Sequence, residues 1–217
     1  MQIDGRMVPV EIRHNPRARR IIVRVDLTMG SVQIVAPSRH SFSQALSFAR
    51  EQKAWIAERL SRVPPPVPFE PGARILYRGV EHLVRHAGLR REPGAPGPVW
   101  AVPPSEPEGL PEIRVTGDPD FVSRRLGDWL RAQAKEELTL RAIQYAEGFG
   151  VRPSRITVRD TSSRWGSCAP SRALSFSWRL ILAPPHVLDY VAAHEAAHLR
   201  EMNHGPRFWR AGGSGHA

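Results

Sequence analysis

His194-Glu195-Ala196-Ala197-His198, preceded by Leu188, Val191 and Ala192 and followed by Leu199 and Met202 at helical spacing, is the stretch that decides the fold. Residues four apart share one face of a helix, so both histidines can turn a ring nitrogen toward a single ion. Zinc takes imidazole nitrogen at ~2.0–2.1 Å and in catalytic sites combines three protein ligands with one position left for water. Glu195, adjacent to the first histidine, is placed to take a proton from that water. His204, six residues after His198, is the candidate third ligand, and Glu201, one turn beyond His198, is its alternative. Asn203 in a left-handed conformation is expected to end the helix, with Gly205-Pro206 stopping it.

Outward from this stretch, Pro184-Pro185 suits a strand-to-helix junction, and His186 is expected at the helix start. Ile156 to Val158 and Leu174 to Leu182 have the pattern of two strands around a loop, Asp160 to Pro170. Asp118-Pro119-Asp120 opens a long helix with Leu126, Trp129, Leu130, Ala134, Leu138 and Ala142 on one face, ending near Gly148 and Gly150. Twelve of the 21 prolines lie between Pro64 and Pro111, so this region is expected to be a connector. Within it, short strands around Ile75 to Tyr77 and Leu83 to Val84 precede an exposed loop, Glu92 to Pro111. In the first forty residues, clusters at Val8 to Ile12, Ile21 to Val25 and Val32 to Val35 predict a small antiparallel sheet, with Met29-Gly30 as a break. From Ser41 the period changes to that of a helix of about five turns, with Ser41 and Gln44 at capping-box spacing.

Charge is the outlying compositional feature: 31 Lys+Arg against 21 Asp+Glu give 217 residues a formal +10. Only Lys53 and Lys135 are lysines, a bias that codon usage produces as readily as phosphate binding does. The basic cluster Arg13, Arg17, Arg19, Arg20 and Arg24, and the span from Arg152 to Arg179, are the places where a polyanion would bind. Cys168 is the lone cysteine, which excludes an intramolecular disulfide and suits a reducing, cytoplasmic compartment. No apolar stretch approaches the ~20 residues of a spanning helix, so no membrane partner is expected. His14, His40, His82, His86 and His216 have no partner pattern and are expected on the surface.

The run Arg164-Trp165-Gly166-Ser167-Cys168, followed by Leu174 to Leu182 and by His194 to Trp209, resembles the YgjP-like metallopeptidase family, itself similar to the SprT-like and WLM zinc proteases of the zincin group. The likeness is strongest from about Ile156 to Trp209. His194, His198 and His204 also have metzincin spacing, with Glu201 where that pattern has glycine. The expected fold is α+β: a small amino-terminal β-sheet region with a helix (1–62), a proline-rich, strand-containing connector (63–117), and a zincin-like catalytic domain with the HExxH active-site helix (118–217).

The resemblance implies a zinc-dependent metallopeptidase with one zinc per chain, held by His194, His198 and His204, and a peptide or protein substrate. Zinc-bound water would then be activated by Glu195 as general base. Arg164, Tyr190 and Arg207 are candidates for stabilising the oxyanion or contacting substrate. Trp165 has core packing as its alternative role, Gly166 a turn, and Cys168 the role of small apolar filler. Family members continue past Phe208-Trp209 with more helix, whereas here the glycine-rich Ala211 to Ala217 follows, so a truncated carboxy-terminal end is expected. The competing expectation is a basic nucleic-acid-associated binding protein with a vestigial or structural zinc site.

Overall fold

The structure is a computed structural model that describes residues 1–26, 30–38, 41–61, 67–161, 164–205 and 208. Met29, His40, Arg207, Trp209 and His216, together with the carboxy-terminal end, lie outside the described residues. The chain divides into two units, Met1–Pro66 and Val67–Ala217.

In the first unit, a hairpin of β1 (Gln2–Ile3) and β2 (Arg6–Met7) precedes β3 (Val10–His14), β4 (Ile22–Asp26) and β5 (Ser31–Ala36). Val32, Ile34 and Ala36 are buried and alternate with half-buried Ser31, Gln33 and Val35, as a strand with one face on a core requires. The sheet is mixed, not antiparallel as the pattern predicted: its order is β3-β5-β4, with β3 parallel and β4 antiparallel to β5. Side-chain alternation reports which face is buried but not strand direction, and here β4 occupies the far edge of β5.

The expected single helix is broken at Gln52 into α1 (Phe42–Glu51) and α2 (Lys53–Ser61). The Gln52 N–H still donates to the Phe48 carbonyl at 3.0 Å, so the break is local. The capping box does not form, because the Ser41 hydroxyl donates back to the Ser38 carbonyl at 2.8 Å. Ala45, Ala49 and Ile56 bury the apolar face against the sheet.

The second unit starts with β6 (Arg74–Tyr77), β7 (Val80–His86), β8 (Val99–Val102) and β9 (Glu112–Val115), in the sheet order β6-β7-β9-β8. The loop expected over Glu92 to Pro111 therefore contains β8, whose Val99 and Trp100 are buried. Dense flanking prolines hid this strand. His82 and His86 are not surface residues either. His82 is buried edge-on against Tyr77 and bonds Val80 O through Nδ1, while half-buried His86 bonds Gly117 O through Nε2.

A 3₁₀ turn, Pro119–Phe121, leads into α3 (Val122–Gly148), whose expected stripe of Leu126, Leu130, Ala134, Leu138 and Ala142 is fully buried. Then follow β10 (Arg155–Arg159), β11 (Gly166–Cys168) and β12 (Ala173–Ser177), in the order β10-β12-β11, with β10 parallel and β11 antiparallel to β12. β11 lies inside the expected loop. Trp178–Leu182 is a 3₁₀ turn and not the end of a strand. Its apolar run is buried without period, and the Ile181 and Leu182 carbonyls accept from Arg78 N–H and Gly79 N–H instead of from a neighbouring strand.

That contact steers α4 (Pro185–Ala197). Arg78 and Gly79 form a two-residue hairpin loop between β6 and β7, with φ of 52° and 76°. A Cβ at Gly79 would stand 2.8 Å from the Pro184 backbone, so only glycine lets the hairpin tip lie against the start of α4. From the other side, Tyr145 of α3 donates to Asp189 Oδ2 at 2.6 Å, and Arg141 pairs with Asp189 Oδ1 at 3.2 Å. The strands of 63–117 share one hydrophobic core with α3, β12 and α4. No helix among the described residues is long and apolar enough to cross a membrane.

Candidate metal centre

α4 begins with Pro184 at its cap and Pro185 in its first turn, where a missing amide costs nothing, and exposed His186 follows. Leu188, Ala192, Ala196 and Ala197 bury one side of the helix in the core. His194 is left half-buried and Glu195 buried at 8% exposure. The helix ends at Ala197, with His198 as its cap. Asn203 does not supply the left-handed residue, because Asp4, Arg78 and Arg172 are the non-glycine residues of positive φ among those described. Tightened turns close the helix instead, with Leu199 N–H on Ala196 O at 3.1 Å and Arg200 N–H on Ala197 O at 3.0 Å.

This early end lets the following segment fold back. His194, His198 and His204 each bring a ring nitrogen into one cluster, all within 4.8 Å of one another. His204 Nε2 lies 3.1 Å from His194 Nε2. Two imidazole nitrogens bound tetrahedrally at ~2.0–2.1 Å from one ion stand about 3.3 Å apart, so this pair fits a shared metal. His198 Nδ1 donates to the Glu201 carbonyl at 3.1 Å, which leaves Nε2 as its free donor atom. Glu201, the alternative ligand, thus contributes its backbone and is not in the cluster. Phe208, 2% exposed, packs against all three rings at centroid distances of 4.6–5.1 Å. Burial lowers the His194 pKa, and the neighbouring charges of His198 and His204 add to this, so the metal-binding neutral form is favoured.

Glu195 faces β11. Burial pushes its carboxyl up to about 7, with the Arg164 charge opposing. Arg164 itself is exposed, and its carbonyl accepts from the Thr161 hydroxyl at 2.7 Å. Tyr190 is exposed one turn before His194, with ring centroids 5.8 Å apart. Trp165 is 57% exposed and does not pack the core; Trp178, at 5%, does. Cys168 is outside the metal cluster and packs at the edge of the core, where burial raises its pKa and Glu195 adds to the effect. Gly166 makes no turn, since it pairs with Phe176 inside β11. Three contributors escaped the sequence analysis: Gly166 against Glu195, Phe208 beneath the histidines, and Asp189 anchoring α4. Only Phe208 carried a usable signal, an aromatic four residues after His204.

The basic cluster belongs to the first unit. Arg13 pairs with Glu11 at 2.8 Å, and Arg17, Arg19, Arg20 and Arg24 are exposed.

A mixed α+β chain with three convergent imidazoles and a buried carboxylate next to the first has the donor set of metal-dependent hydrolases as a class. Within that class the chain belongs to the YgjP-like metallopeptidase domain family, whose model matches residues 19–213. No curated protein and no solved structure matches the chain significantly.

Proposed function

We propose that the protein is a zinc-dependent peptidase of HExxH type, with His194, His198 and His204 as zinc ligands and Glu195 as general base. The observation that carries this reading is the convergence of three imidazole nitrogens within 4.8 Å beside the buried Glu195. Zinc held there supplies a Lewis acid that polarises the scissile carbonyl and acidifies water. Glu195 then takes the proton at a carboxylate oxygen and returns it to the leaving amine nitrogen, a role for which a pKa near neutrality is suited. The hydrogen bond from His198 to the Glu201 carbonyl holds that ring in one tautomer. Arg164 and Tyr190 are the described side chains beside the site that can face a developing oxyanion. Membership of a metallopeptidase family supports peptides or proteins as substrates, and the lone Cys168 suits a reducing, cytoplasmic compartment.

The test is Glu195→Gln. The variant retains wild-type zinc content while peptide hydrolysis falls by about 10²–10⁴-fold, the range for loss of general acid–base catalysis. Wild-type hydrolysis in that variant contradicts the assignment.

A further inference from the structure

β11 is an edge strand of its sheet, and it lies alongside α4. Alternation puts Gly166 and Cys168 on one face of the strand and Ser167 on the other. The first face meets Glu195, since a Cβ built at Gly166 would stand 2.5 Å from Glu195 Cγ, 2.6 Å from Oε1 and 2.9 Å from Cδ. Two residues along, the Cys168 thiol senses the Glu195 charge, and two residues back Arg164 opposes the effect of burial on the same carboxylate. A glycine inside a strand weakens it and often marks a close approach by another group. Here the group that approaches is the carboxylate.

We propose that Gly166 is a positioning residue for Glu195: the side chain absent at 166 is the space in which the carboxylate is held. Neither backbone can yield. Gly166 is paired with Phe176 in the ladder, and Glu195 sits within α4, three residues after buried Ala192 and four after Val191, which packs against the core. A methyl group at 166 therefore displaces the flexible part of Glu195, from Cγ outward, and turns the carboxylate away from the histidine cluster. The three atoms nearest the added methyl all belong to Glu195, so the histidines are expected to keep their arrangement. The catalytic consequence rests on the peptidase reading; the packing relation does not.

The experiment compares wild type, Gly166→Ala, Glu195→Gln and the double variant. Gly166→Ala is expected to lower kcat by at least about 100-fold, with KM within about threefold and zinc content unchanged, as for a group acting only in the transition state. In the Glu195→Gln background the same substitution is expected to change the residual rate by less than about twofold, because a residue acting through Glu195 has nothing left to act on. Unchanged kcat, or equal losses in both backgrounds, overturns the proposal. Crystal structures of wild type and Gly166→Ala supply the second readout: the carboxylate is displaced from β11 while the Gly166–Phe176 pairing persists, and a carboxylate left in place overturns it. A wild type that hydrolyses no peptide removes the peptidase reading, and the crystal structures still decide the packing relation. Should Gly166→Ala fail to fold, Gly166→Ala combined with Glu195→Ala removes the colliding atoms and is expected to fold; failure of that pair also overturns the proposal.

Discussion

The two units contain the same three-strand arrangement, put to different uses. In the first, β3-β5-β4 sets a parallel pair beside an antiparallel third strand; in the second, β10-β12-β11 repeats that order and those directions. Helices α1 and α2 lay Ala45, Ala49 and Ile56 on the first sheet, and Val23 and Val25 of β4 pack into the same core. Where β4 has these valines, β11 has Gly166, and its helix partner contributes the buried Glu195. Burying a carboxylate is costly, and despite the opposing Arg164 charge the group answers by raising its pKa toward the neutral form. Shared topology therefore says nothing about chemistry. A missing side chain on one strand and a charge on the facing helix make the difference.

The harshest way to break this comparison is to ask the first unit to do what the second does. Ala49→Glu puts a carboxylate into a fully buried position of α1 with no glycine opposite. A loss on the order of 3–5 kcal/mol is expected, the scale for an uncompensated buried charge. Equilibrium denaturation followed by far-UV circular dichroism reads it, and a loss below about 1 kcal/mol would mean that the two sheets are equally tolerant.

A gentler probe is pH. Glu195 binds its proton more tightly in the folded protein, at about 7 against a model value of 4.5. Its contribution to the stability of the metal-free protein is thus fully present below about 4.5 and is lost as pH rises through about 7. Glu195→Gln has no such proton. Between about pH 5 and about pH 8 the metal-free wild type is expected to lose more thermal stability than metal-free Glu195→Gln. His194 titrates with the opposite sign but is present in both proteins, so the difference isolates Glu195. Parallel Tm-against-pH curves would remove the link between burial and charge.

Legibility in the sequence followed period and length. The stripe of α3 and the alternation of β5 were plain because each repeats over several turns or residues against a single core. His194, Glu195 and His198 were legible because four-residue spacing is a property of the helix alone. His204 was legible only as the next available donor, and the turn that returns it follows the end of α4 at Ala197 and not a left-handed Asn203. β11 was not legible: three residues, Gly166 to Cys168, are too short to show alternation, and the glycine resembled a turn. Trp178–Leu182 misled for the opposite reason, since an apolar run buried without period suits a strand as well as a 3₁₀ turn. The opposition of Gly166 and Glu195 spans 29 positions of sequence and belongs to tertiary structure alone.

The central claim is that His194, His198 and His204 together hold one zinc. Metal analysis of protein purified without chelator, on wild type and His204→Ala side by side, tests it most directly. About one zinc per wild-type chain is expected, with a metal affinity at least ~10-fold weaker in His204→Ala, consistent with loss of one of three protein ligands. Wild type without zinc, or His204→Ala binding zinc as tightly as wild type, would contradict it.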